Sequence, residues 1–321
     1  MNHLHTIQLT DYRLPDQTIQ TLYLNYEVFG QPLHQAPIVL VNHALTGNST
    51  VTGEQGWWNP LIGRGQVIDL NRYTVLAFNI PGNGYGDKAT HLLLNYKSFT
   101  TAIIADVFWK GLDFLRISEL YAIIGGSLGG SIAWEMALQR PHALQRLIPI
   151  ATNLQASDWL IGQVTVQEAI LNHSNQPIKD ARKHAMLLYR TPESINQKFK
   201  QATQTLTRTH TIESWLTYHG QTLQQRFQLA AYRLMNHLLK TIGQALTDEQ
   251  MKQFATQAST QITLIAVDSD GMFTRQEQRQ TYCKLYAYGA DITYKEIQSI
   301  HGHDAFLMEY QQLQTLLKPL F

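Results

Sequence analysis

Residues 125–129 read Gly125-Gly126-Ser127-Leu128-Gly129, a serine framed by glycines in the spacing G-x-S-x-G. The run Ala122-Ile123-Ile124 before it predicts a strand, and the segment through Trp134 and Met136, closed by Pro141, predicts a helix. A serine on so sharp a strand-to-helix turn projects its oxygen above the sheet, and flanking glycines remove side chains that would clash. The free N–H groups of the helix start favour negative charge developing beside it. A hydroxyl attacks well only with a base, and the base needs a third group to orient it. Two later clusters supply these types in the order acid, then histidine: Asp268-Ser269-Asp270 after the run Ile262–Val267, and His301-Gly302-His303-Asp304 after Ile292–Ile297. Spacing leaves open which aspartate and which histidine act. The loop Asn42-His43-Ala44-Leu45-Thr46-Gly47 follows the run Ile38–Val41, where an oxyanion hole takes one backbone N–H. Leu45 is the candidate there, and Leu128, next to the serine, is the second donor. The donor is backbone, so His43 need do no chemistry.

These residues must be positioned by a sheet. Apolar, β-branched runs at Thr6–Leu9, Thr21–Val28, Ile38–Val41, Thr74–Phe78, Tyr121–Ile124, Leu147–Ile150, Ile262–Val267 and Ile292–Ile297 predict eight strands. Helical spacing falls between them, as at Ile103, Val107, Phe108, Leu112 and Leu115, so the expected class is α/β with a mostly parallel sheet. Residues 154–260 break the alternation and read as consecutive amphipathic helices, including Val164–Leu171, Arg182–Tyr189 and Ile212–Ile242. Residues 1–153 and 261–321 then form the core, and 154–260 a helical lid over the carboxyl edge of the sheet, where open α/β folds place their sites.

Composition narrows the partners. With 25 basic and 24 acidic side chains in 321 residues and no block of like charge, neither nucleic acid nor a membrane surface is an expected partner. Cys283 is the only cysteine, which excludes intramolecular disulfides and cysteine-rich metal sites and fits a reducing cytoplasm. No metal ligand set is expected. The start MNHLHTIQLT lacks the basic end and apolar run of a signal peptide, and no stretch nears the ~20 apolar residues of a membrane span.

Six strings, in order, carry a resemblance across most of the chain: NHALTG at 42–47, IGGSLGG at 124–130, ARKHAMLLYR at 181–190, ESWLTYHGQTLQQRF at 213–227, DSDGMF at 268–273 and GHDAFLMEY at 302–310. They are similar to the signatures of the homoserine O-acetyltransferases, acyltransferases of the α/β-hydrolase fold. The resemblance implies His303 as base and Asp270 as its orienting partner, and it places Arg182, Tyr189 and Asp304 in binding of the amino-acid acceptor. It also implies acetyl-CoA as co-substrate, no tightly bound cofactor, a homodimer and a place in methionine biosynthesis. The chain departs from the family at Asn79-Ile80-Pro81-Gly82-Asn83-Gly84-Tyr85-Gly86, where a GSTGP-type segment is usual. It also departs at Phe227-Gln228-Leu229-Ala230-Ala231-Tyr232, where the family has an FDANSY-like stretch, and at Asn48, where an acidic residue is common.

The expected reaction is double displacement on Ser127: acylation by acyl-CoA, then transfer to the hydroxyl of L-homoserine. An esterase or thioesterase needs the same triad without an amino-acid clamp and is the alternative. A silent binding protein on this fold is the alternative from another class.

Overall fold

The computed structural model describes residues 4–86, 88–204 and 209–321. Among these described residues ten strands form in chain order: β1 (His5–Arg13), β2 (Ile19–Gly30), β3 (Ile38–Asn42), β4 (Ile62–Gly63), β5 (Ile68–Asp69), β6 (Thr74–Phe78), β7 (Leu120–Gly126), β8 (Leu144–Ile150), β9 (Gln261–Val267) and β10 (Ile292–Ile297). The eight predicted strands make one sheet in the order β1-β2-β6-β3-β7-β8-β9-β10, while β4 and β5 pair only with each other. β1 and β2 run antiparallel, and every pair from β6 through β10 is parallel. The chain therefore has the α/β-hydrolase architecture of a large, mostly parallel sheet.

The described helices are α1 (Thr101–Phe114), α2 (Leu128–Gln139), α3 (Asp158–His173), α4 (Pro177–Tyr189), α5 (Pro192–Phe199), α6 (Thr211–Arg226), α7 (Leu229–Lys240), α8 (Asp248–Gln257), α9 (Arg275–Ala287) and α10 (Tyr310–Leu317), of which α1, α2, α9 and α10 pack on the sheet. Strand side chains alternate between two apolar layers, as a pleat requires. Leu40, Ile123 and Leu147 join the layer of α1 and α2, whereas Val39, Ala122 and Ile148 join the layer containing Trp58, Phe306 and α10's Leu313. Burial on both faces explains why β3 and β6 read as unbroken apolar runs.

Helices α3 to α8 lie between β8 and β9, with an isolated bridge between Thr203 and His210. The single helix expected at Ile212–Ile242 is two helices. Phe227 and Gln228 are extended, and Phe227 is buried edge-on against Tyr232 with ring centroids 5.9 Å apart. Burying that ring outweighs the hydrogen bonds of a continuous helix. No described helix is long and apolar enough to cross a membrane.

Candidate active site

Ser127 stands between β7 and α2 with φ 55° and ψ −127°. A left-handed φ is strained for a serine, by about 1–3 kcal/mol, and persists only where the surroundings fix it. Here they do. The Ser127 N–H donates to Ile150 O at 2.9 Å. A Cβ on Gly125 would lie 2.5 Å from Gly129 C, on Gly126 2.4 Å from the Phe306 ring, and on Gly129 2.3 Å from Asn42 O. The glycines are thus required by close approach on three sides.

Ser127, His303 and Asp270 are at most 5% exposed and form one chain of contacts. Ser127 Oγ lies 2.8 Å from His303 Nε2, and His303 Nδ1 lies 2.7 Å from Asp270 Oδ2. The other oxygen of Asp270 accepts the N–H groups of Met272 and Phe273 at 2.8 and 3.0 Å, which fixes the carboxylate plane. Rings of Tyr189, Phe273 and Phe306 surround the imidazole at centroid distances of 5.5 to 5.7 Å. Burial alone would push the His303 pKa down, but the charge and hydrogen bond of Asp270, with Asp304 beside it, raise it above its ordinary value.

The neighbouring candidates have other partners. His301 Nδ1 lies 2.8 Å from Ser194 Oγ and 3.2 Å from Arg190 Nη2, and Asp268 accepts the Ser299 N–H at 2.9 Å. Asp304 lies inside the 3-10 turn Gly302–Leu307. Its carboxylate faces Arg190 at 3.9 Å, a loose pair. Burial raises the Asp304 pKa, opposed by His303, Arg182 and Arg190. Arg182 lies over the Tyr189 ring, 5.7 Å from its centroid, and has no ion pair among the described residues. Sequence reasoning missed Arg190, whose place after the last residue of α4 gives it the look of an ordinary helix-end cation.

Leu128 opens α2, so its N–H has no acceptor within the helix. Leu45 lies in the turn closed by Gly47 N–H to Ala44 O at 2.9 Å. The loop is joined to the helical insertion by Arg226, which donates to Thr46 O at 2.9 Å. The arrangement suits attack by a serine oxygen whose proton passes to a fixed imidazole.

The sequence profile of the α/β hydrolase fold matches residues 37–302. The homoserine O-acetyltransferase of Cyclobacterium marinum is 32% identical over 306 residues, covering 88% of this chain and 84% of that protein. Among solved structures, the homoserine O-acetyltransferase of Bacillus anthracis superposes with a TM-score of 0.87 at 17% identity, over 100% of this chain and 97% of that one. An esterase superposes with a TM-score of 0.85 at 16% identity, over the whole of both chains. At such identities the superpositions show the fold, and the relationship to enzymes rests on the curated relative. The chain belongs to the α/β-hydrolase fold family and, within it, to the homoserine O-acetyltransferase family of enzymes.

Proposed function

We propose that this enzyme transfers the acetyl group of acetyl-CoA to the side-chain hydroxyl of L-homoserine, a step of methionine biosynthesis, with Ser127, His303 and Asp270 as its catalytic triad. The observation that carries this is the buried Ser127–His303–Asp270 chain at 2.8 and 2.7 Å, in a chain related over most of its length to homoserine O-acetyltransferases. Ser127 Oγ attacks the thioester carbon while His303 Nε2 takes its proton. The oxyanion is held by the N–H groups of Leu45 and Leu128. CoA thiolate leaves and takes the proton from His303, which then removes the proton of the homoserine hydroxyl. That oxygen attacks the acetyl-enzyme, and Ser127 recovers its proton as the ester departs. Asp270 holds the Nδ1–H tautomer throughout.

Transfer succeeds only where the alcohol beats water. The helical insertion of residues 154–260 acts as the lid that excludes water, and Arg182 with Tyr189 and Asp304 binds the zwitterionic acceptor. Arg190 contributes to that clamp by facing Asp304 loosely enough for an ammonium to compete. The enzyme works in the cytoplasm, uses acetyl-CoA without a bound cofactor, and pairs as a homodimer. Dimerisation is supported by α3, which presents Trp159 and Val166 to solvent on one face, two turns apart, both at least half exposed. A steady-state assay crossing acetyl-CoA and succinyl-CoA with homoserine and serine tests the assignment. O-acetylhomoserine as the fastest product is expected, and free acid as the main product in every pair would favour the esterase alternative.

A further inference from the structure

His43 lies directly after β3 and is 1% exposed. Its Nε2 receives the N–H of Ile80 at 3.0 Å. A backbone N–H can only donate, so Nε2 carries no proton, and the neutral ring bears its proton on Nδ1. That Nδ1–H donates to Ala44 O at 2.7 Å. Burial pushes the His43 pKa down to about 4, against the opposing hydrogen bond to Ala44, so this tautomer persists across the working pH range.

The Ala44 carbonyl and the Leu45 N–H are two ends of one planar trans peptide, so holding the oxygen aims the hydrogen the opposite way. We infer that His43 is a positioning residue, whose imidazole aims and polarises the Leu45 N–H toward the oxyanion. The inference rests on the serine chemistry proposed above. Every link runs in one sense: Ile80 N–H to Nε2, Nδ1–H to Ala44 O, and Leu45 N–H to the oxyanion. Hydrogen bonds in such a series strengthen one another, by about 10–30% each. The series is anchored in the sheet. Asn83 Nδ2 lies 3.3 Å from His43 Nε2 and donates to Asn79 Oδ1 at 3.0 Å. Asn79 Nδ2 donates to Ser49 Oγ at 2.7 Å, and Ser49 Oγ donates at 2.5 Å to Glu27, a buried carboxylate of β2. The loop that offers the N–H is thereby tied to β2 and to the end of β6.

The test is pre-steady-state acylation of the full-length enzyme by 4-nitrophenyl acetate, with the infrared carbonyl stretch of the ¹³C-acetyl enzyme as second readout. In His43→Gln the amide at the tip can still accept from Ile80, while Ala44 O loses its imidazole donor. Complete loss of one oxyanion donor slows reactions about 10²–10³-fold, so misaiming it should slow acylation about 10- to 100-fold with ester binding changed less than about twofold. The carbonyl stretch should move to higher frequency, which a purely structural role would not cause. Asn83→Ala decides the matter if His43→Gln fails to fold: about 3- to 10-fold slower acylation is expected, and an unchanged rate overturns the inference. Wild-type enzyme that acquires no acetyl group on Ser127 would overturn both the serine chemistry and this inference. Normal wild-type acylation matched by His43→Gln in rate and carbonyl frequency would overturn the role of His43 alone.

Discussion

Asp270→Asn probes the orientation of the base at a single atom. Asp270 Oδ1 receives the Met272 and Phe273 N–H groups, so the oxygen of an asparagine keeps that side and its NH₂ turns toward His303. At the present 2.7 Å, an NH₂ facing Nδ1 forces Nδ1 to accept, which moves the ring proton to Nε2. Nε2 then donates to Ser127 and can no longer take its proton. The equivalent exchange in serine proteases lowers kcat about 10⁴-fold, and the same loss, about 5 kcal/mol of barrier, is expected here. Folding should be little affected, because both backbone donors stay paired. The pH profile adds a second readout. Asp270, with Asp304 beside it, overcomes burial and holds the His303 pKa above its ordinary value, so the wild-type rate should fall as pH drops through a midpoint above about 6.5. Residual activity of the variant should have its midpoint displaced downward. The assay is CoA release over about pH 5 to 9, with thermal unfolding as control. A folded Asp270→Asn enzyme keeping more than about a tenth of wild-type kcat would refute the tautomer argument.

Three further outcomes are expected. Gly126→Ala drives a Cβ to 2.4 Å from the Phe306 ring, which packs against His303, so stability should fall by about 1–3 kcal/mol and kcat at least about tenfold; denaturant melts and turnover check it, and unchanged kcat would refute the coupling. His43 binds a proton near pH 6.5 when unfolded and near pH 4 when folded, so stability should be full above about pH 6.5 and fall by about 3 kcal/mol as pH drops toward 4. Urea unfolding of wild type and His43→Gln across that window isolates this share, and parallel pH curves would contradict it. Arg182→Lys should raise the KM for homoserine about tenfold and leave acetylation of Ser127 near normal, since an ammonium cannot copy a planar fork; unaltered homoserine kinetics would remove Arg182 from the acceptor site.

The sheet was legible because burial on both faces leaves a strong mark. Val39 to Val41 and Val75 to Phe78 are wholly apolar, and turn residues bound them. The pair β4 and β5 was not legible, since two-residue strands carry no periodicity. The break at Phe227 and Gln228 also left no trace, as neither residue is a helix breaker and the cause is tertiary burial of Phe227. At the site, Ser127 was readable because strand, glycines and helix are contiguous in sequence. Spacing could not separate His301 from His303, because two residues apart on an irregular turn says nothing about direction. Packing separates them: Ser194 and Arg190 engage His301, and three aromatic rings enclose His303. Arg190 was hidden for the same reason, as its partner Asp304 is distant in sequence.

The proposed function turns on one step, the passage of acetyl through Ser127 to homoserine. Rapid-quench mass spectrometry with acetyl-CoA alone, followed by a chase with homoserine, measures this directly. The expected result is a one-acetyl adduct on the peptide containing Ser127, absent in Ser127→Ala, that is discharged by homoserine into O-acetylhomoserine far faster than by water. Product formed without that adduct, or an adduct that homoserine discharges no faster than buffer does, would contradict it.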